Sequence, residues 1–285
     1  MAIVLGLLVA ATYGAADFFG GLSSKRASVP AVVVLSQLTG LPLLAVLVVV
    51  AGGDATSRTV GLGMASGLFG GFGLVCLYRG LSSGRMSVVA PVTAVGAAIV
   101  PVGWGLVQGE RPGGAALVGV GLALLAVALI SRTDDDVLDG EDSGSTPPPA
   151  AGSLLLAAVA GVGFGTVFVL LAETGDDAGF WPLVAGRLTS IPLLAVGTVL
   201  TGRSFAVGSR RAVATIVGAG VLDMAANALF LLASRQGLLA LVGVLSSLYP
   251  ASTVLLARLV LQERLRGVQV VGLTMAGAGV VLIAA

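Results

Sequence analysis

Gln37-Leu-Thr-Gly-Leu-Pro-Leu-Leu-Ala-Val46 returns 150 residues later as Arg187-Leu-Thr-Ser-Ile-Pro-Leu-Leu-Ala-Val196. Seven of the ten positions are identical: Leu38, Thr39, Pro42, Leu43, Leu44, Ala45 and Val46, with their mates. Two more pairs keep nearly the same spacing. Tyr13-Gly14 answers Phe164-Gly165, and Glu110-Arg111 answers Glu263-Arg264, so the offset drifts only from 150 to 153. Self-similarity at a fixed period means that the chain is built from two copies of one unit.

The medium of that unit follows from composition. The 285 residues are 56% hydrophobic and 10% charged, with a mean hydropathy of +1.06. Soluble domains carry about 25% charge, and so few charges could not cover a water-soluble surface of this size. The chain reads as all-α integral membrane protein. A span needs about 20 apolar residues. Stretches of that kind fall at 2–22, 31–51, 60–79, 87–108 and 113–131, then at 153–172, 180–201, 212–233, 238–261 and 267–285. Between the sets, residues 132–152 hold six acids and three prolines, the composition of a disordered linker. The expected organisation is a first five-span repeat (1–131), the linker (132–152) and a second five-span repeat (153–285). Five is odd, so the second copy enters the membrane with the opposite orientation. Ten transmembrane helices in two inverted repeats are the architecture of many secondary transporters, whose sites lie near the bilayer midplane between the copies.

Several functions are excluded. There is no histidine, so no Ser-His-Asp triad and no His-ligated zinc site. Cys76 is the one cysteine and sits in an apolar run; alone it makes no intrachain disulfide. A net charge of +1 does not suit a nucleic-acid binder. The 43 glycines lack the lysine and Ser/Thr of a phosphate loop and read as helix-packing positions. The expectation is no enzyme, no cofactor and no metal. The start, Met1 to Ala10, has no basic region and runs on to Gly21, so it reads as a first span.

Ionisable groups inside spans cost about 2.5–3.5 kcal/mol each on insertion scales, which makes them candidate functional residues. Asp223 falls about midway through the eighth span, with Asn227 one turn on along the same face. Its repeat mate is Gly70, so this acid belongs to one half only. Arg187 lies in the seventh span, with Asp223 and Asp17 as candidate ion-pair partners. Asp17 sits late in the first span, and Tyr13 precedes it by four residues on the same face. Tyr249-Pro250 interrupts the ninth span, and Pro91 and Pro101 are expected to interrupt the fourth; prolines free carbonyls that can line a cavity. Tyr78 and Arg79 close the third span. The substrate-binding candidates are therefore Asp223, Asn227, Asp17, Tyr13, Tyr249 and Arg187. Glu110-Arg111 and Glu263-Arg264 read as turn-fixing groups or gates. An acid held in a span is also a candidate proton carrier, here Asp223.

Two five-span halves, each closing on Gly109-Glu110-Arg111 or Gln262-Glu263-Arg264 and a glycine-rich last span (Gly119–Gly121, Gly272–Gly279), resemble the EamA domain of the drug/metabolite transporter superfamily. Ala90-Pro91 and Leu248-Tyr249-Pro250 carry the same likeness, which covers the chain outside the linker. The resemblance implies a ten-helix permease of the cell membrane that moves small organic solutes by alternating access, often outward. Spans one, three, four, six, eight and nine would line its cavity. The expected solute is a metabolite, an amino acid or a drug-like molecule. The alternatives are an uptake permease for a sugar or other metabolite, and a non-transporting scaffold or sensor. The expected partners are this small molecule, the lipid bilayer and protons as coupling ion; a homodimer stays open. Orientation meets two opposed expectations. Eleven of the fifteen basic residues fall in or beside loops after odd-numbered spans and three after even-numbered ones, which by the positive-inside rule places both termini outside the cytoplasm. The family resemblance implies both termini inside.

Overall fold

In the lipid interior no water satisfies backbone N–H and C=O groups, so apolar stretches of this length are stable only as helices. The computed structural model describes residues 1–24, 27–83, 86–130, 151–260 and 267–284. Residues 132–150 of the expected linker, Lys25-Arg26, Arg85, Glu263-Arg264 and the side chains of Tyr78, Arg79 and Pro91 lie outside the described residues. Among those described there is no strand. The first half holds α1 (Ala2–Ser24), α2 (Val29–Ala51), α3 (Ser57–Ser83), α4 (Met86–Val107) and α5 (Gly114–Ile130). The second holds α6 (Ala151–Ala172), α7 (Trp181–Leu200), α8 (Arg210–Ser234), α9 (Leu239–Ser246), α10 (Tyr249–Val260) and α11 (Gly267–Ala284). Seven helical stretches are long and apolar enough to cross a membrane, with α9 and α10 read as one of them. Val92–Val107, Gly114–Ile130 and Gly267–Ile283 are apolar but shorter.

Prolines behave differently in different helices. The expected interruption at Tyr249-Pro250 is present, because α9 ends at Ser246 and α10 begins at Tyr249. Pro91 and Pro101 do not interrupt their span, since α4 runs through both. Pro101 is seated against Gly243 of α9, where no side chain opposes its ring. Neighbouring helices support backbone that a proline frees inside a membrane, and Pro42 in α2 and Pro192 in α7 are tolerated likewise.

Packing joins the halves to each other more than within themselves. The main partners of α1 are α8, α9 and α10; those of α6 are α3 and α4. In the same way α2 packs on α8 and α3 on α7, while α5 packs on its own mate α11. Exchanging each helix for its repeat mate reproduces this pattern. Glycines show it atom by atom. A Cβ on Gly14 would lie 2.5 Å from Ser252 Cβ in α10, and one on Gly165 would lie 2.6 Å from Val100 Cβ in α4. Real Cβ atoms do not come so close, so both crossings require glycine. Gly67 against Gly186 and Gly220 against Ser36 form a second matched set.

Two apolar clusters fill the bundle. One gathers Val9, Leu44, Phe168, Leu171, Met224, Phe230, Leu231 and Val242 from α1, α2, α6, α8 and α9. The other gathers Ala94, Ala98, Val127, Ile130, Leu245, Leu248 and Ile283. Helix ends form two faces. On the terminal face Ala2 lies beside Gly237. There the Asp54 amide donates to the Asp177 carbonyl at 2.8 Å, and the Trp181 indole donates to the Gly53 carbonyl at 3.1 Å. On the opposite face Ser28 Oγ donates to the Ser204 carbonyl at 2.8 Å.

Candidate functional site

The six candidates come from α1, α7, α8 and α10, and four of them lie within electrostatic range of a fifth, Tyr13. Tyr13, in the middle of α1, lies within electrostatic range of Asp223, Arg187, Asp17 and Tyr249. Asp17 in turn senses Asp223, and Tyr249 senses Asp17. Arg187 reaches from α7 to α8, where its guanidinium donates to Asp223 Oδ2 in an ion pair. Insertion cost explains the pairing: each charge lowers the other's burden within the bundle. Asp223 still keeps 35% of its side-chain surface open and Arg187 keeps 15%. Asp17 is exposed and has neither an ion-pair nor a hydrogen-bond partner among the described residues. These charges are thus not sealed into the packed core.

Asn227 is placed differently. Its Nδ2 donates to the carbonyl of Asp223 at 2.8 Å, one turn back on the same helix. That bond turns the amide onto its own backbone.

Two pairs of residues complete the site, and neither was singled out as a candidate from sequence. Ser190 Oγ donates to Gln37 Oε1 at 2.6 Å, a buried polar seam between α7 and α2. Gln37 is the repeat mate of Arg187, so the duplicated segment delivers its variable polar residue to one region from both halves. The mating of Gln37 with Arg187 was the available signal. The second pair is Phe168 and Phe230, stacked with centroids 4.2 Å apart and both buried. Phe168 also meets Tyr13 at 6.4 Å. Such stacking contributes about 0.5–1.5 kcal/mol beyond area burial, and it places an aromatic plug between Tyr13 and the terminal face.

Beyond the plug, polar bonds hold the terminal face together. Glu110 accepts from the amides of Leu239 and Ala240 at 2.6 and 2.9 Å. It thereby caps the first turn of α9, where free N–H groups and the helix dipole favour a carboxylate. This matches the turn-fixing role for Glu110. Glu173 accepts from the Trp104 indole at 2.8 Å and pairs with Arg58 at 3.4 Å. Arg235 donates to the Gly179 carbonyl at 2.7 Å; burial lowers its pKa, and Asp176 and Asp177 act to raise it. A cavity of about 190 Å³ remains among Trp104, Gln108, Glu110, Glu173 and Ser234. A hollow of about 350 Å³ on the opposite face, lined by Val207 to Arg210 and Val213, holds none of the six candidates.

The family model for EamA-like transporters matches residues 1–132 and again residues 151–285. The chain belongs to the EamA-like transporter family. A crystal structure, described only as that of a protein, superposes on this EamA-like chain with a TM-score of 0.78. Its sequence is 16% identical, and the match covers 99% of this chain and 95% of the other. That likeness shows the fold. No curated protein sequence matches. As an EamA-like chain, the protein is a multi-pass membrane transporter of the drug/metabolite type.

Proposed function

We propose that the chain is a secondary transporter of ten spans, α9 and α10 counting as one, in two inverted five-span repeats separated by the 132–152 linker. It works in the cell membrane by alternating access. It moves a small organic metabolite, outward by the direction its family resemblance implies. The observation that carries this reading is a polar cluster shared by the two halves, which we take as the wall of a central crevice. Polar side chains from both halves gather midway through a bundle whose main helix contacts join the halves, closed toward the terminal face by the Phe168–Phe230 stack. Rocking one half against the other would close the crevice on one side and open it on the other. Asp17, Tyr13, Tyr249, Asp223 and Arg187 form the solute site, and Asn227 supports Asp223. The proton is the coupling ion of this reading. Asp223 already has its charge matched by Arg187, so the unpaired Asp17 is the stronger candidate to carry it.

The test compares metabolites inside and outside cells expressing the wild type, Asp223→Ala or no transporter, at matched membrane levels. The proposal expects the wild type to move one class of metabolite outward and Asp223→Ala to lose that effect. Depletion from the medium would favour the uptake alternative. No change in either compartment would favour a scaffold or sensor.

A further inference from the structure

Resting on that transport reading, we infer that Arg235 is the lock of the terminal face, and that its guanidinium must leave the turn between α6 and α7 before that face opens. The aromatic stack sets the requirement. Phe168 belongs to α6 and Phe230 to α8. The two helices lean on different neighbours, α6 on α3 and α4, α8 on α1 and α2. A path through the terminal face therefore needs α6 and α8 to part at that end. The stack excludes water, but ring contact alone sets no directional bond between the helices.

Arg235 supplies that bond. It caps the C-terminal end of α8, little more than one turn beyond Phe230. Its guanidinium crosses to the turn after α6 and donates to the Gly179 carbonyl at 2.7 Å, and its Nε lies 4.0 Å from Asp176 Oδ1. The acceptor is firmly mounted. Gly179 has φ +51° and sits so close to the Gly52 carbonyl that a Cβ would lie 2.1 Å from it, so only glycine fits. The Asp54–Asp177 and Trp181–Gly53 bonds hold the same turn. The bond is also releasable. Arg235 keeps only 13% of its side-chain surface open, and its Nε is buried with no hydrogen-bond partner among the described residues. A buried unpaired donor costs free energy that water returns once the face opens. The lock thus holds through one charged hydrogen bond and is strained by an unmet one. The Arg58–Glu173 pair differs, because it ties α3 to the end of α6, and those helices already pack on each other.

Removing a contact made in only one state shifts the population toward the other. The test places a cysteine at Asp17 in a Cys76→Ala background and labels it with a membrane-impermeant maleimide from each side of sealed vesicles. The readout is the rate from the terminal side divided by the rate from the side of the 201–209 turn. Arg235→Met keeps the apolar stem and loses the donors. It should raise that ratio about tenfold, the scale of one hydrogen bond made by a charged group. Arg235→Gln should raise it in the same direction, and whichever of the two reaches the membrane decides. Arg58→Met, which removes a cation of the same face, should leave the ratio at the wild-type value. An unchanged ratio in the Arg235 variants, or an equal rise in Arg58→Met, overturns the lock and leaves transport standing. A cysteine unreactive from both sides in every variant overturns the lock together with the crevice.

Discussion

Arg187 and Asp223 show what a charge inside a span requires. Each is costly alone and tolerable as a pair, so the effect of removing one differs from that of removing both. Breaking a fully buried pair costs about 3–5 kcal/mol; with Asp223 partly open, Arg187→Ala should cost about 2 kcal/mol. Thermal unfolding in detergent should show Arg187→Ala below the wild type and the Arg187→Ala/Asp223→Ala double variant above the single one. Equal losses in single and double variants would mean that the pair contributes nothing as a pair. These two residues were legible in the sequence because a charge in an apolar run announces itself. Asp17 was legible for the same reason. Gln37, Ser190, Phe168 and Phe230 were not, because glutamine, serine and phenylalanine are ordinary in membrane helices. Their meaning lies in which helices cross, and nothing local encodes that. Asn227 stood out as a polar residue on the Asp223 face, but a side chain that bonds its own backbone looks the same in a sequence.

At the scale of the element, the helices were legible and their continuity was not. Apolar length fixes a span, so each expected stretch falls on one helix, or in the ninth on the pair α9 and α10, with ends within four residues of the expected ones. Proline alone does not decide a break. Pro101 sits in an unbroken α4 because Gly243 makes room for it, whereas Pro250 follows a real interruption. The short α9 that precedes that interruption depends on its cap. Glu110 bonds two of its first amides, and lost caps cost about 0.5–2 kcal/mol. Glu110→Ala should lower the unfolding temperature of the purified protein. Glu110→Gln, which keeps an acceptor but loses the charge, should fall between the two. An unchanged Glu110→Ala protein would show that α9 is held by packing alone.

Across the whole molecule, the repeat in the sequence becomes an interlocked pair of halves. α1 and α2 find their main partners in the second half, and α6 and α7 find theirs in the first. Membrane helices associate through such close packing, so neither half retains its main contacts alone. Residues 1–131 or 153–285 expressed singly should be degraded, while the two co-expressed as separate chains should co-purify and accumulate. Stable accumulation of a single half would contradict the interlocking. The central claim is that solute passes through the crevice between these halves, open away from the terminal face. The most direct measurement places one cysteine at Asp17 in a Cys76→Ala background and applies a membrane-impermeant maleimide to each side of sealed vesicles. The account predicts reaction from both sides as the halves rock, faster from the side of the 201–209 turn, and that preference also fixes the orientation on which basic-residue count and family resemblance disagree. A cysteine at this position unreactive from both sides, or reached only by a lipid-permeant maleimide, would mean that Asp17 faces lipid or packed protein and that the crevice is not the path.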